Sequence, residues 1–177
     1  MASKGIEAKI EGLSALLMHA FPMVAIEALE KRPIEEQAEL SAYRDPDTGL
    51  LYVPGLNVQR AMIAGATFSK GKGRGSLQKA AAACLQINPE RISLGVDKYQ
   101  IDSRPIVVPA TKGRVLRHRP RLDKWALSFE IEYDPMLLKA EEVRRILDDT
   151  GSRVGLLDFR PERKGPFGRF VVVSWKG

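Results

Sequence analysis

The stretch "ALSFEIEY", residues 126–133, carries the clearest structural signal in the chain. Polar and apolar side chains alternate along it without exception from Leu127 to Tyr133. Because successive side chains of a strand point to opposite faces, this pattern predicts a strand with one buried face and one polar face. The stretch "IEAKIEG" (6–12) alternates in the same way, so the sequence predicts two strands that share one half-buried sheet.

Helical spacing replaces this alternation in three other segments. Asn57 is a predicted N-cap, and apolar residues follow it at helical spacing as far as Phe68. Ser76 is a predicted cap for a second helix, in which we interpret Cys84 as a buried core thiol. A third helix is predicted to end at Gly151.

Further strands are predicted at "RISLGV" (91–96), "RVGLLDF" (153–159) and "GRFVVVSW" (168–175), and residues 27–42 are predicted to be a short acidic helix or an ordered loop. The resulting β-α-β-β-α-β order predicts an α+β, ferredoxin-like fold. In that fold, helices cover one face of a four-stranded antiparallel sheet and leave the other face free for a ligand. We expect a single domain over residues 1–177, with an acidic insertion at about 26–48 and a basic arm at about 97–121.

Composition limits the classes of function. The chain has 177 residues, of which 44% are hydrophobic and 28% charged, which is ordinary for a soluble globular protein. Its single cysteine excludes an internal disulfide framework, and the first residues lack the apolar core of a signal peptide. We therefore expect an intracellular, cytoplasmic protein (host-cell cytoplasm if a phage encodes it). Histidine, cysteine and acidic residues show no metal-ligand spacing, and no cofactor is expected.

Charge is distributed unevenly along the chain. The net charge is +6, but residues 26–48 carry seven acids and three bases, whereas residues 98–124 carry eight bases and two acids. Residues 69–79 and 160–176 are also basic. If the basic segments converge, they form a cationic groove of the kind that binds a polyanion. The alternative is that they are scattered, solvated loops.

The stretch "GRVLRHRPRLDKW" (113–125) raises a specific question, because Arg114 lies on one side of a strand and Arg117 and Arg119 on the other. Burying an unpaired guanidinium is costly, so we expect this strand to belong to a hairpin that stands off the sheet. Such a hairpin would grip a polyanion between itself and the open sheet face.

Several motifs resemble those of the RAMP superfamily, which includes the backbone subunits of CRISPR effector complexes. The segment "RDPDTGLLYVPGLNVQRAM" (44–62) resembles the turn and short strand before the first helix of RAMP proteins, with Tyr52, Pro54 and Gly55 at the turn. Together with "GLSALLMHAF", "GRVLRHRPRLDKW" and "GLLDFRPERKGPFGRF", it is also similar to short phage- and prophage-encoded proteins of that fold. The resemblance implies a modified RNA-recognition fold whose first helix approaches a nucleic-acid backbone.

The resemblance and the charge pattern together nominate the nucleic-acid contacts. The amino end of the first helix supplies Asn57 and Arg60, and "GPFGRF" (165–170) resembles the glycine-rich segment near the carboxyl end of RAMP proteins. Some RAMP subunits cleave RNA with an acidic residue before the turn segment, but "EEQAELSAY" (35–43) lacks that pattern. The predicted contacts are Asn57, Arg60, Lys70, Lys72, Arg74, Lys79, Lys98, Arg104, Lys112, Arg114, Arg117, His118, Arg119, Arg121, Arg160, Arg163, Lys164 and Arg169, and the predicted base-stacking residues are Tyr99, Phe159 and Phe167.

The sequence thus predicts a non-catalytic protein that binds single-stranded RNA or DNA independently of sequence and assembles side by side along it, as a filament or ring. One alternative is a phage-encoded mimic of a CRISPR RAMP subunit that binds a host effector protein. Another is an endoribonuclease of the same fold that uses His118 as a general base. His19 lies in an apolar run and is interpreted as a core or edge histidine. Phosphate contacts do not encode the sugar, so the sequence does not choose between RNA and DNA.

Overall fold

The computed structural model describes residues 3–71, 73 and 75–177. Its strands and helices, in chain order, are β1 (Lys4–Gly12), β2 (Leu16–Leu17), α1 (Ile26–Glu30), α2 (Ile34–Leu40), β3 (Tyr52–Pro54), α3 (Gly55–Gly65), α4 (Gln78–Cys84), β4 (Gln86–Asn88), β5 (Arg91–Ser93), β6 (Gln100–Val107), β7 (Arg114–Leu122), β8 (Ala126–Tyr133), α5 (Ala140–Asp149) and β9 (Phe170–Lys176). The antiparallel sheets and packed helices confirm the predicted α+β class.

The principal sheet has the strand order β4-β8-β1-β9, with antiparallel pairs throughout. The alternation seen in the sequence is realised here: in β1, Ile6, Ala8 and Ile10 are buried, while the residues between them are exposed. β8 behaves in the same way, with Leu127, Phe129, Ile131 and Tyr133 buried. The buried faces of both strands pack against α3 and α5, whose inward side chains belong to the same hydrophobic core.

The other face of this sheet is exposed and acidic. It presents four acids (Glu7, Glu11, Glu130 and Glu132) and two lysines (Lys9 and Lys176). Glu7 lies directly opposite Glu130 on the neighbouring strand, where like charges repel. Four acids against two lysines disfavour a polyanion on this face, and its contact with nucleic acid stays a prediction.

Two smaller sheets flank the principal one. β6 and β7 form an antiparallel hairpin over residues 100–122, which β2 joins in the order β2-β7-β6. β3 and β5 form a two-stranded sheet immediately before α3. The hairpin lies in the region where the sequence predicts a basic arm. Its inner part is packed, because α2 lies against β7, whereas Val107 and Leu116 near its outer end are more than half exposed.

Several element boundaries differ from the predictions. α3 begins at Gly55, two residues before the predicted cap, and Asn57 lies inside its first turn. α4 begins at Gln78, after a cap at Leu77 rather than at Ser76. α5 does not end at Gly151, because the chain continues as a π-helical turn, Thr150–Val154, and then turns at Gly155 with a positive φ of 75°. Consequently the segment 153–159, predicted as a strand, is a turn and a loop.

Cys84 is half-buried against the core, and burial raises the pKa of its thiol, in agreement with the predicted core role. In the described part of the chain, the helices are all too short or too polar to cross a membrane. The same residues contain no cluster of histidine, cysteine and acidic side chains arranged to hold a metal ion.

Candidate nucleic-acid interface

The buried face of the β6–β7 hairpin carries arginines, and nearby acids neutralise most of them. Arg104 donates two hydrogen bonds to Asp102, from Nε at 2.6 Å and from Nη2 at 2.7 Å. Arg121 lies 3.6 Å from the same carboxylate. Asp102 is only 8% exposed, and the hydrogen bonds from Arg104 lower its pKa. Asp102 therefore fixes two of the predicted phosphate-binding arginines against the protein.

Arg117 and Arg119 are 8% and 4% exposed, so this part of the hairpin is packed against the protein and does not stand off it as expected. Arg119 forms an ion pair with Asp158, from the loop that follows α5. The cationic strand can be buried because Asp102 and Asp158 approach it from elsewhere in the chain. Arg117 has no such partner among the described residues.

The three predicted base-stacking residues are already engaged within the protein. The Arg104 guanidinium lies 5.7 Å from the ring centroid of Phe159 and 4.9 Å from that of Phe167, which is buried. The hydroxyl of Tyr99 donates a 2.7 Å hydrogen bond to Glu39. Burial, reinforced by this bond, raises the pKa of Tyr99 to about 12. Phe167 is buried, whereas Tyr99 and Phe159 are half-buried, and Phe159 lies at the edge of a cleft.

Two clefts meet at His19. The first has a volume of about 170 Å³ and is lined by His19, Tyr43, Asn57, Leu157, Asp158 and Arg160. The second has a volume of about 390 Å³ and is lined by His19, Arg104, Pro105, Ile106, Val107, Arg119, Asp158 and Phe159. Because they share His19 and Asp158, we describe them together as the His19 groove. It runs from the first turn of α3 to the outer half of the hairpin.

The first turn of α3 forms one end of the groove. No side chain caps this turn; the N–H of Gly55 donates to the Glu90 carbonyl at 2.7 Å, and the positive end of the helix dipole favours an anion nearby. Asn57 accepts a 3.3 Å hydrogen bond from the backbone N–H of Leu157, which ties the helix to the loop that carries Asp158. Arg160 donates to the Leu157 carbonyl at 2.8 Å and to Glu162 at 2.6 Å, so its guanidinium is held beside Asn57.

His19 lies at the centre of the groove with its Nδ1 3.8 Å from an Asp158 oxygen, beyond hydrogen-bond distance. Burial lowers the pKa of His19; Asp158 opposes this effect, and Arg119 and Arg117 add to it. The imidazole is therefore neutral near pH 7, with a buried nitrogen that has no partner in the described structure. An approaching phosphate would favour its protonation.

The remaining predicted contacts divide into two groups. His118 hydrogen bonds to Ser103 at 2.7 Å and lines a cleft between the hairpin and the acidic helices α1 and α2, outside the His19 groove. Among the predicted contacts, nine exposed cations form no ion pair with a described residue: Arg60, Lys70, Lys79, Lys98, Lys112, Arg114, Arg163, Lys164 and Arg169. Lys72 and Arg74 lie outside the described residues. The contacts of all these side chains with nucleic acid stay predictions.

Sequence reasoning missed His19, Tyr43, Asp102 and Asp158 as members of the site. His19 lies in an apolar run and Asp158 in a segment that reads as a strand, so neither pattern indicates a groove. One signal in the sequence was usable in part. A strand with several arginines and few acids of its own can be buried only if other segments supply acids to pair with them. The sequence does not say which acids supply it.

Comparison with known proteins gives structural likeness only. The chain matches no family model and no curated protein sequence. Among 52 matching chains of solved structures is one from the cryo-electron microscopy structure of the type III-B Cmr-beta complex bound to cognate target RNA. The TM-score is 0.60 at 11% sequence identity, and the match covers 98% of this chain. This protein spans 60% of the length of that chain, and the likeness shows a shared fold.

Proposed function

We propose that this protein binds single-stranded nucleic acid, RNA or single-stranded DNA, through backbone contacts and without catalysis. We further propose that copies of it assemble side by side along the strand. The observation that carries the proposal is the His19 groove, a concave surface in which the imidazole of His19, unpartnered among the described residues, lies between the amino end of α3 and the hairpin that carries the exposed Lys112 and Arg114. Cationic side chains and the positive end of a helix are groups that proteins use to hold phosphate.

The strand would follow the groove from α3 toward the end of the hairpin. At that end Lys112 and Arg114 are exposed and form no ion pair with a described residue. The open face of the principal sheet is the competing route, and its four acids disfavour it. The groove and the open face have no lining residue in common, so variants can separate the two routes.

The strand order supports a ferredoxin-like core of the RAMP type. With the two smaller sheets set aside, β1-α3-β4-β8-α5-β9 follows the β-α-β-β-α-β order of that fold. The β6–β7 hairpin is then an insertion between the second and third core strands. The likeness to a chain from an RNA-bound complex makes RNA the first ligand to test.

Binding would be tested by fluorescence anisotropy with a labelled oligouridylate of about twenty nucleotides. Four cationic side chains along the groove and hairpin would neutralise about four phosphates. The slope of log K against log salt would then be about −3, at about −0.7 per phosphate on a single strand. A slope near zero, or no binding at low salt, would refute the proposal.

A matched pair of variants distinguishes the groove from general attraction to a basic protein. Lys112→Gln with Arg114→Gln removes two exposed positive charges from the hairpin. Lys9→Gln with Lys176→Gln removes the same charge from the open sheet face. We expect the hairpin variant to lose about tenfold or more in affinity, at about 1 kcal/mol per contact, and the sheet variant to lose less than twofold. Equal losses would mean that the binding has no defined path.

The structure gives no support to cleavage by His118, because this side chain lies outside the His19 groove beside Ser103. A cleavage assay with the same oligonucleotide serves as a control. Under the proposal, the strand remains intact with the wild-type protein and with His118→Ala.

A further inference from the structure

A third cleft, more enclosed than the His19 groove, lies between β7 and the segment that leads into α1. It has a volume of about 310 Å³, within the range of small ligand sites. Apart from His19, Ser41 and Arg117, its lining is apolar: Phe21, Pro22, Val24, Ala25, Ile26 and Leu29. His19 is the one residue that it shares with the groove described above.

Arg117 lines this cleft with an unsatisfied charge. The residue is 8% exposed, and its Nη1 is buried with no hydrogen-bond partner among the described residues. Its neighbour Arg119, on the same side of β7, has Asp158 as a partner. Asp102, the buried acid on the neighbouring strand β6, pairs with Arg104 and Arg121 and not with Arg117. A buried guanidinium without an acceptor is costly, so its retention in an apolar cleft indicates a ligand that supplies one.

The surroundings favour a carboxylate over a phosphate chain. The cleft is bordered by α1, which carries Glu27 and Glu30, and α2 follows with Glu35 and Glu36. These exposed acids would repel a polyanion that ran across the opening. A single carboxylate that reached Arg117 would be shielded by apolar walls and could accept two parallel hydrogen bonds from the guanidinium.

Large apolar side chains remain exposed around the opening. Phe21 is 77% exposed, Met23 is 84% exposed and Ile26 is 47% exposed. Met23 also has a positive φ of 53°, a conformation that is uncommon outside glycine. Exposed aromatic and methionine side chains around an arginine are typical of protein interfaces, in which a central charged pair is sealed by apolar contacts. A small free acid would leave these three side chains uncovered.

We propose that this cleft binds a partner polypeptide that presents one aspartate or glutamate carboxylate between large apolar side chains. The carboxylate pairs with Arg117, and the flanking side chains cover Phe21, Met23 and Ile26. The proposal does not depend on nucleic-acid binding, because it uses a different cleft and a ligand of different chemistry.

The test is a selection from a random peptide display library against the full chain. Wild type is compared with Arg117→Met, which keeps the length of the side chain and removes its charge. Arg114→Met, on the exposed part of the same strand, is the control. We expect wild type and Arg114→Met to enrich peptides with one acid flanked by Leu, Ile, Met or Phe, and Arg117→Met to lose that enrichment. Identical enrichment with Arg117→Met, or no enrichment with wild type, would overturn the proposal.

A second measurement uses a small probe. Titration of 3-phenylpropionate, followed by the NMR methyl signals of Val24, Ile26 and Leu29, should show binding to wild type. The uncharged 3-phenylpropionamide should bind at least about tenfold more weakly, because a hydrogen bond to a charged donor is lost in part. Equal binding of the acid and the amide would show that Arg117 does not recognise a carboxylate. A circular dichroism spectrum of Arg117→Met confirms that the variant is folded.

Discussion

Arg117 and Arg119 offer a stability test, because the two buried arginines of one strand are expected to respond oppositely to the same substitution. Arg119→Met removes the partner of Asp158 and leaves that carboxylate without its ion pair. Arg117→Met removes a buried guanidinium that has no partner in the described structure. Methionine fills similar space without charge in both cases.

The magnitudes follow from burial. Breaking a buried ion pair costs about 3–5 kcal/mol. The side chain of Asp158 is 31% exposed, so water recovers part of that cost and we expect a loss of about 2–3 kcal/mol. In a chain of this size 1 kcal/mol corresponds to about 2–4 °C, so Tm should fall by roughly 4–12 °C. Arg117→Met should instead raise Tm by a few degrees, since replacing buried charge by apolar atoms stabilises by about 1–2 kcal/mol in this setting.

Thermal unfolding by differential scanning calorimetry measures both changes. Arg119→Met combined with Asp158→Asn should recover part of the loss, because the unpaired carboxylate is then also removed. If Arg117→Met lowers Tm as much as Arg119→Met does, Arg117 has an acceptor within the folded chain. Both the reasoning about buried charge and the proposed carboxylate site would then be wrong.

Three further outcomes are expected. Burial lowers the pKa of His19 in the free protein, so the folded state favours the neutral imidazole and loses stability as pH falls below about 6.5. A bound phosphate favours the protonated imidazole, so binding takes up a proton. Affinity for oligouridylate should therefore rise between pH 7.5 and 5.5, and a His19→Phe variant that kept the same pH dependence would contradict this. Glu39→Gln should lower the pKa of Tyr99 from about 12, measured by ultraviolet titration of the phenol, because Glu39 accepts its hydrogen bond; an unchanged titration would rule out that bond. Long strands should drive side-by-side assembly that Glu35→Lys with Glu36→Lys impairs while short oligonucleotides still bind, as judged by light scattering. A monomer at every strand length would favour the mimic of a host effector subunit.

Glu39 belongs to the same acidic segment as Glu35 and Glu36 but is not part of the assembly variant. It forms an ion pair with Arg44 and accepts a hydrogen bond from Tyr99. The hydrogen bond from Arg44 lowers the pKa of Glu39, so its stabilising effect is present above about pH 4.5 and is lost as pH falls through the folded value. Reversing its charge would break both of these contacts within the chain.

The principal sheet could be predicted from the sequence because its signal is local. Alternation in 6–10 and 127–133 places each side chain on a buried or an exposed face, and both strands have that orientation. The third helix was predicted for the same reason: Val143, Ile146 and Leu147 repeat at helical spacing and are all buried. Local periodicity contains the information that these elements need.

The arrangement of charge could not be predicted, because it depends on pairs distant in sequence. Arg119 and Asp158 are 39 residues apart, and Arg44 reaches the carbonyl of Asp97 across 53 residues. A strand rich in arginine therefore looks solvent-exposed until the fold brings acids to it. The acids of the open sheet face were visible in the sequence as the polar residues of the alternating strands. Their combined effect on a polyanion depends on which strands are neighbours, and the sequence alone does not give that.

The path of the nucleic acid can be measured directly by NMR chemical-shift mapping with an oligouridylate of about ten nucleotides. We expect the backbone amide signals of His19, Tyr43, Asn57, Asp158 and Arg160 to shift together on a common binding curve. Those of Ser128, Glu130 and Ser174, on the open sheet face, should not move. Shifts confined to the open sheet face, or none at all with saturating oligonucleotide, would contradict the assignment of the His19 groove as the nucleic-acid interface.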